Sequence, residues 1–269
     1  MRRWLFSIRK LHAGVRRHTL LTTYITLLVL IPLAALTSHA FAHGPAGFWS
    51  AVTQPESVKA LSITMACAGV ATLINAVMGT VIAFVLVRDR SWVARFLEAV
   101  VDVPFALPTV VAGVTLMTLY GPNSPLHVTL ANAWTGITVA LLFVTLPFTV
   151  RAVEPVLESL TGDAEAASRT LGASTLRTFS SITLPSLLPA ILTGASLSFA
   201  RAIGEFGSVV FISGNRPFHT EVASSYIFML SQSQNFDGAA AVSISLLVVA
   251  LVILSGANLI SKRLTERTS

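Results

Sequence analysis

Charge and cysteine are scarce in this chain of 269 residues. Asp, Glu, Lys and Arg make up only 11% of it, against about 25% in soluble domains, which excludes a water-facing surface over most of the fold. Lysine occurs only at Lys10, Lys59 and Lys262, and none of these follows a glycine. A G-x-x-x-x-G-K-[ST] loop needs both glycine and that lysine to cradle phosphates, so the chain has no P-loop of its own. The single cysteine, Cys67, excludes an intrachain disulfide and reads as a small buried hydrophobe. No serine, cysteine or paired-carboxylate arrangement points to catalysis, and no inverted repeat of the ion-coupled carrier kind is visible. His39 and His43 are four residues apart but no third ligand stands near them in the sequence, so an interfacial role is favoured over a metal site.

What is abundant is apolar residues, at 54%. Six runs reach the roughly 17–25 residues that cross a bilayer: Leu20–Phe41, Leu61–Val87, Val100–Tyr120, Ala133–Val150, Leu187–Ser213 and Ala239–Ile260. The expected fold class is an all-α polytopic membrane protein with six transmembrane helices. Short alternating strands, the mark of a transmembrane barrel, are not seen. Ala40-Phe41-Ala42 has the look of a signal-peptidase site. The run before it is longer than the 7–15 residues of a signal core, so an uncleaved first helix is expected. Arg16-Arg17 lacks the flanking residues of a twin-arginine signal.

The basic residues orient the spans. Arg2, Arg3, Arg9, Lys10, Arg16 and Arg17 precede the first. Arg88, Arg90 and Arg95 lie between the second and third, and Arg151, Arg169 and Arg177 between the fourth and fifth. Lys262, Arg263 and Arg267 follow the sixth. With alternating spans these all fall on one side, and only Lys59 and Arg216 on the other, which predicts cytoplasmic termini (N-in/C-in). The net charge of +6 then reflects topology and not nucleic-acid binding, and the clusters lack the interleaved aromatics of a strand-binding groove. The expected organisation is a cytoplasmic tail (1–19), a first helix (20–41), a domain of five further helices (57–261) with a long connection at 151–188, and a cytoplasmic tail (262–269).

That connection is the most informative stretch. Asp163 is a suitable N-cap for a short helix Ala164–Leu171, with Glu165 in its first turn and Arg169 in its last, as the helix dipole favours. Gly172 is its natural stop. Ser174 can cap a second short helix to about Ser181, and Pro185 and Pro189 mark entry into the fifth span. The small Ala164, Ala166 and Ala167 would let another protein approach closely; a plain linking loop is the alternative.

Glu165-Ala166-Ala167, Gly172 after four intervening residues, and Ile182-Thr183-Leu184-Pro185 after nine more resemble the EAA motif of the permease subunits of binding-protein-dependent ABC importers. DVPFALPTVVAGVTL (102–116), PFTVRAVEPVLESL (147–160) and SFARAIGEFGSVVFISGN (198–215) resemble the sulfate/thiosulfate permeases of the CysT type, from about Trp49 to the C-terminus. The resemblance implies the type I ABC importer permease (MetI-like) fold in the inner (cytoplasmic) membrane. It implies a coupling role for Glu165, Ala166, Ala167, Gly172, Ile182, Leu184 and Pro185. Its implied partners are a CysW-like second permease, two CysA-like ATPases that bind ATP and Mg, and a periplasmic sulfate-binding protein. No cofactor is expected in this chain. A molybdate or tungstate permease is the near alternative, and a stand-alone ion-coupled carrier the distant one.

Two features inside the spans remain. Arg201 and Glu205 sit in the fifth run, Arg201 near its middle. The pair is either a gate lining a translocation path for a tetrahedral oxyanion or a structural ion pair. Pro104 and Pro108 in the third run signal either a kinked core helix or a path-lining break. The small residues of span five suggest a central position, Asn75 of span two reads as interhelical glue, and span six reads as lipid-facing.

Overall fold

The computed structural model describes residues 19–89, 91–160 and 162–268, with side chains as far as Arg263. The basic residues of 1–18, Arg90 and the Arg267 side chain, used above for orientation, lie outside the described residues. The described residues are helical in eleven segments: α1 Thr19–Ala40, α2 Gly44–Val52, α3 Pro55–Arg88, α4 Trp92–Ala106, α5 Thr109–Tyr120, α6 Trp134–Ser159, α7 Asp163–Thr170, α8 Thr175–Ile203, α9 Gly207–Ile212, α10 Ala223–Gln232 and α11 Phe236–Thr268. Five of them, α1, α3, α6, α8 and α11, are each long and apolar enough to cross a membrane, and the α4–α5 pair makes a sixth, broken span.

The centre of the bundle is α3, α6 and α8. Thr149 of α6 lies between two glycines: a Cβ on Gly79 of α3 would meet its Cβ at 2.8 Å, and one on Gly194 of α8 would meet its Cα at 2.8 Å. Only glycine admits such close backbones, and with the lipid as apolar as the helices, close packing is what holds spans together. Hydroxyls and an amide add to it. Asn75 donates to the Leu142 carbonyl at 3.0 Å and to Thr145 Oγ1 at 2.9 Å, as the interhelical reading anticipates. Ser198 Oγ donates to the Thr145 carbonyl at 3.1 Å. Ile63, Cys67, Ile137, Leu141, Ile203 and Ile212 fill the surrounding core, so Cys67 is buried as expected. Helix α1 packs its Leu36 and Ala40 on Ala240, Ala241 and Ile244 of α11, while its apolar window is otherwise exposed. Val248, Leu251 and Val252 of α11 also face outward.

Several boundaries differ from the expected ones. Span three begins at Trp92, runs through Pro104 without a break, and then stops: Leu107 and Pro108 are extended and the axis turns by 113°. Of the two sequence readings, a kinked helix and a break, the structure has the break. Pro108 permits the break locally, since proline drives the residue before it out of the helical region. Span five is not one helix from Leu187 to Ser213. Helix α8 starts at Thr175, passes through Pro185 and Pro189, ends at Ile203, and is followed by a turn and the short α9. The second short helix expected at Ser174 is therefore the first turn of α8; a π-helical turn at Phe179–Thr183 absorbs the junction. The connection expected from residue 151 begins only at Leu160, because α6 continues through Pro155 to Ser159.

The two breaks meet. A Cβ on Gly113 of α5 would strike the Ser208 carbonyl oxygen of α9 at 2.7 Å, and one on Gly207 would collide with Thr109 Oγ1. The half-helices α5 and α9 thus pack backbone to backbone, each starting at the break in its own span.

Candidate functional site

The connector between α6 and α8 is built around a closed helix end. Helix α7 begins one residue earlier than expected: Gly162, at φ 76°, occupies the N-cap and Asp163 the first helical position, with no side-chain cap bond. Its end is as the sequence requires. Gly172 takes φ 82°, its N–H bonds the Arg169 carbonyl at 3.0 Å, and the Ala173 N–H bonds the Ser168 carbonyl at 3.1 Å. These are the two bonds of a Schellman motif, which satisfies carbonyls the helix leaves unpaired. Ser174 then caps α8, accepting from the Arg177 N–H at 3.3 Å.

Glu165 faces inward. Its Oε1 accepts from Arg88 Nη2 at 2.7 Å and from Thr183 Oγ1 at 2.8 Å, and its Oε2 lies 3.7 Å from Arg169 Nη2. Arg88 is the last residue of α3 and Thr183 lies in the π-turn of α8, so one carboxylate joins the connector to two central spans. Ala166 and Ala167 are exposed. Beside them a groove is lined by Ala164, Ala167, Leu171, Gly172, Arg177 and Ile182. Leu171 and Leu176 are 88% and 76% exposed, which marks this face as apolar and unpartnered. Leu184 is half-buried and Pro185 exposed.

At the same end Arg151 of α6 gathers three carboxylates. It donates to Asp102 through both Nε, at 3.0 Å to Oδ1, and Nη2, and through Nη1 to Glu154 at 2.6 Å and to Glu98 at 3.4 Å. The α4 arm of the broken span is thereby tied to α6. The hub is not among the site residues expected from the sequence, although Glu98 and Asp102, four apart on α4, are a signal for it.

Arg201 and Glu205 do pair, Nη1 to Oε2 at 2.5 Å, but not within one continuous span. Arg201 stands in the last turn of α8 and Glu205 in the turn after it, so Arg201 is not at the middle of a helix. Pro104 is half-buried and Pro108 exposed at the break; neither is brought into contact with Arg201 or Glu205 by any described bond.

The opposite end holds two further groups. Asp237 of α11 bridges His39 Nδ1 at 3.0 Å and His43 Nε2 at 3.2 Å, a third residue that the sequence did not place near the histidines. Among the described residues no three such side chains are arranged to hold a metal ion. Glu221, in the segment between α9 and α10, is 4% exposed and its Oε2 has no partner. Burial, and next the charge of Glu56, push its carboxyl up to about 7.

A bundle of five long apolar helices with a sixth, broken span is that of a multi-pass helical membrane protein. Residues 75–266 match the family described as "Binding-protein-dependent transport system inner membrane component", and the chain belongs to that family, a transport component of the inner membrane. It is 39% identical over 251 residues to the sulfate transport system permease protein CysT of Salmonella typhimurium, covering 91% of each chain. It is 38% identical to that of Escherichia coli with the same coverage, and 39% to that of Synechocystis over 89% of this chain and 86% of the relative. Among solved structures, a chain of the bacterial alginate ABC transporter superposes with a TM-score of 0.78 at 19% identity, covering 96% of this chain and 97% of that one. A chain of the MetNI methionine ABC transporter does so with 0.61 at 18% identity, covering 77% and 95%. At such identities these establish the fold, the type I ABC importer permease fold expected from the motif.

Proposed function

We propose that this chain is the transmembrane permease subunit of an ATP-driven importer that carries sulfate or thiosulfate across the inner membrane. The observation that carries the reading is identity of 39% along 91% of both chains with a sulfate transport permease, a length that leaves little room for a different architecture. In this reading both termini are cytoplasmic, by the distribution of basic residues. The partners are a CysW-like permease, two CysA-like ATPases that bind and hydrolyse ATP with Mg, and a periplasmic sulfate-binding protein.

Helix α7 and the groove beside it are the coupling site. A helix with an exposed alanine face, flanked by the exposed Leu171 just past its end and Leu176 in the first turn of α8, fits a cleft in a partner, since small side chains admit close approach. The staple at Glu165 is what would pass movement of α7 to α3 and α8. Rocking of two permease subunits then switches access to a path between them. That path would run near Arg201 and the break at Pro108.

The test is complementation of a bacterium lacking its own CysT permease, grown with sulfate as sole sulfur source. Restored growth and uptake of radiolabelled sulfate are expected, both lost when the partner ATPase is inactivated. Uptake of molybdate without sulfate would replace the substrate, and sulfate uptake that persists without ATP hydrolysis would replace the mechanism with that of a stand-alone carrier.

A further inference from the structure

The two charges in the fifth span have different surroundings. Both carboxylate oxygens of Glu205 are engaged. Its Oε1 accepts from the Ser208 N–H at 2.8 Å and from Ser208 Oγ at 2.9 Å. Its Oε2 holds Arg201, and its backbone carbonyl accepts from Ser224 Oγ at 2.7 Å. Its side chain is 1% exposed. This carboxylate caps the start of α9, seals the turn that ends α8, and has no surface left for a solute.

Arg201 differs. Its side chain is 34% exposed, and only Nη1 is engaged among the described residues, leaving the donors of Nε and Nη2 unspent. A guanidinium in a membrane span does not face lipid without a large penalty. It stands beside a turn in which Gly204 is exposed, and broken backbone at membrane depth is tolerated only inside protein or along a water-filled cavity. Unspent fork donors, exposure and a broken span coincide at one residue.

We infer that Arg201 is the chain's contact for the tetrahedral oxyanion in the path, and that Glu205 is its positioning residue, committed to the fold and not to the solute. The inference rests on the sulfate reading above. A planar guanidinium offers two parallel N–H donors to two oxygens of a sulfate-like anion. Glu205 holds the plane by one nitrogen and cancels the net charge, so the anion meets directed donors without a deep electrostatic well, and it can leave as well as enter.

The experiment uses the whole importer, with binding protein and ATPases, reconstituted in liposomes with radiolabelled sulfate. R201K keeps the charge and loses the fork. It is expected to assemble normally and to keep sulfate-stimulated ATP hydrolysis within about twofold, while sulfate moved per ATP falls about tenfold, the scale of one charged hydrogen bond. E205Q keeps a carbonyl for Ser208 and removes the cancelling charge. It is expected to assemble and to retain several-fold more sulfate on the solubilised complex after rapid desalting. Unchanged sulfate per ATP in R201K overturns the proposal. So do variants whose transport falls only in proportion to assembled complex, since that marks Arg201 as a staple between subunits. A wild type that hydrolyses ATP but moves no tetrahedral oxyanion overturns the sulfate reading, and the inference with it.

Discussion

Arg88 donates through Nη2 to Glu165 Oε1 at 2.7 Å, across 77 residues of chain. The carboxylate side chain is only 12% exposed, whereas Arg88 is 38% exposed. The buried partner is therefore the one whose loss matters more to the fold. E165A should free α7 from α3 and weaken its hold on α8, because Thr183 loses its acceptor as well and only the Ser168–Thr178 hydroxyl pair at 3.0 Å is left there. R88A removes one of the two contacts. Co-purification of the ATPase and its stimulation by loaded binding protein are expected to fall several-fold in E165A and less in R88A. Equal, wild-type coupling in both would remove the staple from the mechanism.

Gly172 is required for its backbone and not for space. Nothing lies within 4 Å of a Cβ placed there, yet φ is 82°. G172A should cost about 1 kcal/mol at this helix end and G172N less, since asparagine tolerates the left-handed region better than other side chains. G172V, β-branched, should be the worst. At Gly194 the reverse holds: the conformation is helical, but a Cβ meets the Thr149 backbone at 2.8 Å. G194A should therefore lower the yield of folded protein, while G172N lowers only coupling. Size-exclusion profiles beside ATPase assays separate the two.

Around Arg151 the charges are unbalanced, one guanidinium against Asp102, Glu98 and Glu154. R151A leaves three carboxylates facing one another, whereas D102N leaves the arginine two partners. The loss of stability should be larger for R151A, about 1 kcal/mol because Asp102 and Glu98 are nearly half exposed, read as the order of apparent Tm at one fixed scan rate in detergent. The same order reversed would show that α4 is not held by this hub.

Glu221 gives the fold a pH dependence with a definite sign. Its carboxyl titrates near 7 in the folded chain and at 4.5 as an ordinary glutamate. Between those values the folded state holds a proton that the unfolded state does not. The stabilisation is fully present below the lower value and is lost as pH rises through the upper one. E221Q keeps the neutral form at every pH. The apparent Tm of E221Q minus that of wild type should grow between about pH 5 and pH 8; a constant difference would mean that Glu221 is ionised throughout.

The spans and the connector were legible in the sequence because both depend on local signals. An apolar run long enough for a bilayer is a property of consecutive residues, and so is the Glu165-to-Pro185 spacing with its glycine stop. The Schellman end at Gly172 and the cap at Ser174 needed only neighbours a few residues away, and they stand where expected. The N-cap shift from Asp163 to Gly162 is the scale of error local reading allows.

Continuity and partnership were not legible. Hydropathy is the same along Leu187–Ser213 whether the helix runs on or turns, so the end of α8 at Ile203 was decided by Glu205 capping α9 and by Gly207 and Gly113 letting α9 and α5 touch. In the same way Pro108 permitted a break, and only packing against α9 fixed its use. The residues that give Glu165, Arg151, His39 and His43 their neighbours lie 77, 49 and nearly 200 positions away. The medium this chain lives in and the turns of its connector follow from local composition, because solvent preference and turn geometry are set residue by residue. Which charges meet, and which span breaks, was left to the tertiary structure, because those depend on energies between segments that become neighbours only when the bundle closes.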